Sequence, residues 1–255
     1  MADLDTQFQI LSSAWESGGP VPVDLAGQVT GDDVYRLQLR TLDRVLAKGA
    51  RQAGWKVGQT NRALREERGE SMPAPGFLLE TDRHASGVQL ELGDGDPWFL
   101  EPEMAVLLAS DLAGPGVTQE QARSAVQAVA PAYELVRPPR AWPDRDLVRA
   151  VNGATHGFVL GDARPVSLDA AQLDDMRVSL ALDGVPFGEV RGGDVIDNPL
   201  DTLAWLANYL GSLGSGLLAG HVLLTGTYMG LVPMEAGQRW SASVGDFGTV
   251  ELLTR

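Results

Sequence analysis

Trp98-Phe99-Leu100-Glu101-Pro102-Glu103-Met104-Ala105-Val106-Leu107-Leu108 is almost wholly apolar and long enough for a strand, yet two glutamates stand two residues apart within it. In a strand, residues i and i+2 point to the same face. Glu101 and Glu103 therefore share a face with Phe99, Ala105 and Leu107, while Leu100, Pro102, Met104, Val106 and Leu108 form the other. Both faces call for burial, and two like charges buried side by side without compensation are costly. A hard cation held by both carboxylates resolves the conflict.

Glu134 repeats the pattern in Val129-Ala130-Pro131-Ala132-Tyr133-Glu134-Leu135-Val136, where Ala132 and Val136 share its face. Three glutamates set in apolar strands offer oxygen ligands to Mg2+ or Mn2+ and leave positions for water or substrate. Any one of them alone is as well explained by an arginine partner or a wet sheet edge. Taken together, Glu101, Glu103 and Glu134 favour a metal centre.

Lys56 lies in Gly54-Trp55-Lys56-Val57-Gly58 and shares its face with two glycines, which leaves space for a ligand beside the ammonium. A surface lysine on an edge strand fits the same spacing. Asn152-Gly153-Ala154-Thr155-His156-Gly157 and Leu223-Leu224-Thr225-Gly226-Thr227 put small and hydroxyl residues at strand ends. Such stretches bring hydroxyls and backbone N–H groups near a carboxylate, so Asn152, Thr155 and Thr225 are candidate substrate contacts; both stretches also read as plain turns. In a regular strand Thr155 and His156 face opposite ways. His84, His156 and His221 match no HExxH spacing, and no GxSxG elbow, Walker motif or dinucleotide fingerprint occurs.

The whole chain of 255 residues carries 20 basic against 34 acidic side chains, a net charge of −14, which argues against a nucleic-acid or anionic-membrane surface. It holds no cysteine, which excludes disulfides and thiol chemistry. No apolar run approaches roughly 18 residues, and Met1-Ala2-Asp3-Leu4-Asp5 opens the chain without a basic or apolar leader. A cytoplasmic protein is expected.

Helices are predicted over 5–17, from Thr30-Gly31-Asp32-Asp33 through Leu46, over 61–69, from the capping box Thr118-Gln119-Glu120-Gln121 to about 126, over 144–151, and from Asn198-Pro199 to about Gly214. Strands are predicted over 54–58, 77–80, 87–92, 98–108, 129–137, 154–160, 176–182, 185–190, 221–225, 239–244 and 247–253. Asp183-Gly184 signals a hairpin, and Met72-Pro73-Ala74-Pro75-Gly76 reads as a loop. Strands and helices do not alternate regularly, so the reading is one α+β domain over 1–255. Residues 1–50 form a helical cover without chemistry of its own, and 51–255 form a strand-rich catalytic core.

The order of Gly-Trp-Lys-Val-Gly at 54–58, Glu-Pro-Glu at 101–103, Ala-Tyr-Glu-Leu-Val at 132–136 and Leu-Leu-Thr-Gly-Thr at 223–227 resembles the 2-keto-4-pentenoate hydratase / 4-oxalocrotonate decarboxylase family of the fumarylacetoacetate hydrolase superfamily. The resemblance extends from Asp32-Asp33-Val34-Tyr35-Arg36-Leu37-Gln38-Leu39 to Gly245–Leu252. It implies a mixed β-sheet core with peripheral N-terminal helices and Mg2+ or Mn2+ on Glu101, Glu103 and Glu134. Lys56 would hold a small 2-oxo or 2-hydroxydienoate acid, and Thr155 would match the family hydroxyl. Homo-oligomers and a place in the catabolism of aromatic compounds are further implications.

Two departures stand out. Pro73-Ala74-Pro75-Gly76 replaces a Pro-Asp-Phe-Gly-like segment, and Asn152-Gly153-Ala154-Thr155 replaces Asp-Asn-Ala-Ser, so each loses a carboxylate. The general acid/base is left without a candidate. The resemblance therefore implies a hydratase first and a 4-oxalocrotonate-type decarboxylase second. The lost acids also admit a non-catalytic metal-binding subunit that supports a partner lyase.

Overall fold

Both faces of the Phe99–Leu108 segment are covered, as its composition requires, in a computed structural model that describes residues 3–70, 72–165 and 168–255. Met1 and Ala2 of the acidic start lie outside the described residues.

In chain order the elements are α1 (Leu4–Glu16), α2 (Asp32–Ala47), β1 (Gln52–Gly58), α3 (Arg62–Glu67), β2 (Ala74–Leu79), β3 (Arg83–Ala85), β4 (Val88–Leu90), β5 (Phe99–Leu108), α4 (Gln119–Ala125), β6 (Val126–Val136), α5 (Arg145–Ala150) and β7 (Thr155–Leu160). There follow β8 (Arg164–Pro165), α6 (Ala170–Asp175), β9 (Arg177–Leu182), β10 (Val185–Arg191), α7 (Gly192–Val195), α8 (Pro199–Ser212), β11 (Val222–Leu224), β12 (Val232–Pro233), β13 (Arg239–Val244) and β14 (Gly248–Thr254).

Two mixed sheets result. The larger has nine strands in the order β2-β1-β11-β5-β6-β7-β3, with β12 beside β5 and β8 beside β6; the smaller has five, β10-β9-β13-β14-β4. The pairs β1–β11, β3–β7 and β4–β14 are parallel. The α+β expectation holds, and regular alternation of strand and helix is absent. Short elements such as β3, β8, β12 and α6 carry too few residues to show a period and escape sequence reading.

The outer face of β5 is divided between two layers. Met104, Val106 and Leu108 pack into one cluster with Leu200, Leu203, Leu206 and Leu210 of α8, whereas Leu100 joins Trp240, Val250 and Leu252 of the small sheet in another. Burial of each such side chain contributes about 1.5–3 kcal/mol. The α8 apolar stripe follows helical spacing, and the helix starts where Asn198 accepts from the Leu200 N–H at 3.1 Å with Pro199 in the first turn. The Thr118/Gln121 capping box also forms as expected.

The inner face curls on itself. β2, at one end of the large sheet, reaches β7, one strand short of the other. Asn152, just before β7, closes that seam: its Oδ1 accepts from Phe77 N at 3.2 Å and its Nδ2 donates to Phe77 O at 3.0 Å. From α2, Gln38 Nε2 donates to Pro75 O at 3.1 Å and Arg149 O at 2.8 Å, holding the same edge.

The stretch expected as a loop at 72–76 is therefore partly strand, with Ala74, Pro75 and Gly76 paired to Gly58, Val57 and Lys56. Proline is tolerated there because β2 is an edge strand. The reading of Gly54 as open space beside Lys56 is also corrected. A Cβ on Gly54 would lie 1.9 Å from Val222 O, so its missing side chain admits β11 rather than a ligand. Gly54→Ala should therefore separate β1 from β11 and cost about 1–3 kcal/mol or more, read as a lower urea midpoint.

Candidate metal centre

Antiparallel pairing of β5 with β6 sets Glu101 directly opposite Glu134 and Glu103 opposite Ala132, which gathers all three carboxylates on the inner face. Each offers an oxygen within 4.8 Å of the others. That spacing is close to the span of two metal–oxygen bonds of about 2.0–2.6 Å. Glu103 and Glu134 are each 1% exposed, while Glu101 stands nearer the rim.

Their partners come from three other parts of the sheet. Gly226, just past β11, donates its backbone N–H to Glu103 Oε2 at 2.7 Å. It has φ +114°, and a Cβ there would lie 2.0 Å from Thr60 Oγ1, so glycine is required for this approach. Thr155 Oγ1 donates to Glu134 Oε1 at 3.0 Å, and Lys56 Nζ lies 3.6 Å from the same oxygen. Glu134 Oε2 is buried with no hydrogen-bond partner.

Thr155 reaches this face through a bulge. Leu135 pairs with Gly157 and Val136 with Thr155, so His156 is the extra residue and Thr155 turns toward Glu134. His156 packs edge-on against Trp98 instead. The room for Lys56 comes from Gly58 and Gly76; a Cβ on Gly76 would fall 2.8 Å from Lys56 Cε and 2.8 Å from Asn152 Oδ1. The structure thus brings Glu101, Glu103, Glu134, Lys56 and Thr155 together. Asn152 adjoins them with both amide atoms engaged by Phe77. Thr225 is fully buried and donates its hydroxyl to Met104 O at 3.0 Å, inside the sheet.

Sequence reading marked the stretch holding Gly226 as able to bring an N–H to a carboxylate, but it missed Gly76 and Tyr228. Tyr228 donates its backbone N–H to Pro102 O at 3.0 Å and buries an unpartnered hydroxyl, and burial, with the Glu103 charge second, holds that phenol protonated. No periodicity marks these residues, because their positions depend on a strand distant in sequence.

The electrostatics are strained. Burial, then Glu134, pushes the Glu101 carboxyl up to about 8, against the pull of Lys56. Burial, then the Glu134 and Glu101 charges, push Glu103 well up, against Gly226 N–H and Lys56. Burial opposes the Lys56 ammonium, but Glu134, Glu101 and Glu103 outweigh it and hold its pKa above the ordinary value. Three carboxylates face one ammonium, a formal surplus of two negative charges, which matches a divalent cation. The orphaned Glu134 oxygen and the all-oxygen donor set fit Mg2+, Mn2+ or Ca2+.

Comparison with known proteins places these observations. The sequence profile of the fumarylacetoacetate (FAA) hydrolase C-terminal family matches residues 82–252. A 2-hydroxyhexa-2,4-dienoate hydratase of Comamonas testosteroni is 31% identical, over 98% of this chain and 96% of its own. A 2-oxo-hept-4-ene-1,7-dioate hydratase of Escherichia coli is 28% identical, over 88% and 86%. The solved 4-oxalocrotonate decarboxylase from Pseudomonas putida G7, complexed with magnesium and adipate, superposes with a TM-score of 0.85 at 25% identity, over 99% of this chain and 97% of that one.

The raised carboxyl pKa values predict a pH dependence for the metal-free protein. Glu101 and Glu103 keep protons in the folded state that the unfolded chain releases at ordinary carboxyl values. Their stabilising contribution is complete below the unfolded pKa and is lost as pH rises toward about 8. Urea midpoints in chelator should fall between about pH 5 and about pH 8, and Glu101→Gln should flatten the slope.

Proposed function

The chain belongs to the fumarylacetoacetate hydrolase C-terminal family, and from that premise we propose that it is a divalent-metal-dependent hydro-lyase that adds water to a short 2-hydroxy-2,4-dienoate or 2-oxo-enoate. The observation that carries this reading is the triad of Glu101, Glu103 and Glu134 on the inner face, with one Glu134 oxygen unpartnered and the Lys56 ammonium beside the other. The hydratase names of its relatives point the same way.

Glu101, Glu103 and Glu134 would hold Mg2+ or Mn2+, and such an ion supplies Lewis-acid stabilisation of negative charge on the C2 oxygen of the acid. Lys56 stays protonated among the carboxylates, so it serves as a charge anchor for the substrate carboxylate rather than as a base. Thr155 fixes the orientation of Glu134, and the Gly226 N–H does the same for Glu103. Asn152 ties β2 to the start of β7 and so fixes the strand that flanks Lys56. Overall, one water places its hydrogen and hydroxyl across a conjugated C=C bond.

A second reading, decarboxylation of a 4-oxalocrotonate-type acid, draws support from Ala74 and Asn152. Neither supplies an acid, and loss of CO2 breaks the carbon–carbon bond before any proton must arrive. Assay with Mg2+ or Mn2+ against 2-hydroxypenta-2,4-dienoate and 2-oxohex-3-enedioate separates the two: hydration bleaches the dienoate without gas, and the rival releases CO2.

Glu103→Gln should abolish Mn2+ binding and turnover while the circular dichroism spectrum is retained. Full metal-dependent turnover in that variant would overturn the site. Lys56→Met should raise KM about 10–100-fold, the worth of a charge-assisted hydrogen bond, with metal affinity held nearly constant.

A further inference from the structure

We propose that Glu70 is the general base of the hydration, a role that neither Ala74 nor Asn152 can fill. This deepens the hydro-lyase reading and rests on it.

Gln59 leads to it. Gln59 has φ +57°; the other non-glycine residues in the left-handed region, among the described residues, are Asn152 and Asp183, whose short side chains tolerate it. A longer side chain stays there only where its surroundings enforce it, and such positions gather at functional sites. Arg65 enforces this one, donating Nη1 to the Gln59 carbonyl while pairing with Asp197 at 3.0 Å. The residues on either side of Gln59 border the metal centre. A Cβ on Gly58 would lie 3.6 Å from Lys56 Nζ, and Thr60 Oγ1 packs against Gly226, whose N–H serves Glu103. From this turn the Gln59 side chain reaches Glu70, where Nε2 donates to Oε1 at 3.2 Å.

A second tie comes from Arg149. Its Nη2 lies 3.3 Å from the same Glu70 oxygen, and its charge acts on Lys56. Gln38 Nε2 donates to both Arg149 O and Pro75 O, which sets this ion pair beside the start of β2, where Ala74 pairs with Gly58. Glu70 thus approaches the lysine side of the site at the end where Ala74 has only a methyl group. Its backbone is fixed as well, with Glu70 N donating to Arg65 O at 2.9 Å.

The carboxylate is set up to take a proton. Both bonds fall on Oε1, and among the described residues none falls on Oε2. The side chain is 24% exposed, so water reaches it. Burial opposes its charge, but Arg149, the Gln59 N–H and Arg145 outweigh burial and hold the carboxyl below its ordinary value. Tyr35 and Asp146 are the other titratable groups gathered around this ion pair. Glu70 is therefore ionised at neutral pH and free to accept on Oε2. With a 2-oxo-3-enoate, the keto tautomer of the dienoate, anchored on Lys56, Oε2 takes a proton from water as the water oxygen bonds to C4. The C3=C4 electron pair shifts to C2–C3 and the carbonyl pair to the C2 oxygen. Collapse of this enolate draws the proton from Glu70 to C3, so water's hydrogen and hydroxyl are both added and Glu70 is left ionised.

Turnover of 2-hydroxypenta-2,4-dienoate by the Mn2+-loaded chain, with calorimetric binding of the unreactive 2-oxopentanoate, tests this. Glu70→Gln should lower kcat about 100-fold or more while Mn2+ and 2-oxopentanoate bind as before. Arg149→Met breaks the same ion pair and leaves the base, so it should cost far less turnover and move the acid limb of the kcat profile to higher pH. Full turnover in Glu70→Gln overturns the inference, as does loss of 2-oxopentanoate binding together with turnover. Equal losses in the two variants also overturn it, since they mark an ion pair that only supports the fold. In each of these cases hydration by the unaltered chain leaves the hydro-lyase reading standing. An unaltered chain that binds Mn2+ and leaves the dienoate intact overturns both.

Discussion

Three carboxylates held against one another inside a curled sheet are the constraint on which the rest of this structure depends. Water cannot solvate Glu103 or Glu134, and the protein provides one ammonium, one hydroxyl and one backbone N–H in its place. That is short of neutralising three ionised carboxylates, so without metal Glu101 and Glu103 hold protons, and a divalent ion takes the place of those protons. The outer layers of α8 and the small sheet stabilise the strands that force these groups together. The site is thereby set on rigid β-structure, which suits a reaction whose main demand is orientation.

Closure of the sheet serves the same end. Asn152 and Gln38 hold the edge strand β2 through backbone atoms of Phe77 and Pro75. The helical cover thus acts on the site indirectly, by fixing the strand that flanks Lys56. Trp15 of α1 adds to this by filling the place of a Cβ at Gly153, 2.7 Å from it. Through Gln38 and Trp15 the cover braces both sides of the seam.

Much of this was legible in the chain and some was not, for physical reasons. Charge within apolar, strand-length runs marked Glu101, Glu103 and Glu134, since burial alone makes such a pattern informative. Asn198-Pro199 and Thr118-Gln121 announced their helices through local capping chemistry. The rest depends on partners distant in sequence. The bulge at His156 arises from register with β6, and only that register tells which of the pair turns to Glu134 and which to Trp98. Pro75 looked like a breaker because nothing local identifies an edge. Gly54 and Gly226 both looked like freedom for a ligand or a turn, whereas each admits another part of the chain. Thr225 carries a hydroxyl at the right end of a strand and uses it on Met104.

The parallel pairing of Gly54 with Val222 joins the first strand of the large sheet to one near the end of the chain. During synthesis, β5 and β6 can form their hairpin-like pair long before β11 leaves the ribosome, and the glutamates then meet without Gly226. The pairing spans most of the sequence, so closing it is entropically slow compared with local hairpins. A nascent chain therefore passes through a stage in which its acidic cluster exists but its amide donor does not. Cation capture at that stage would proceed without the Gly226 amide, and the late arrival of β11 converts a loose chelate into a shaped site.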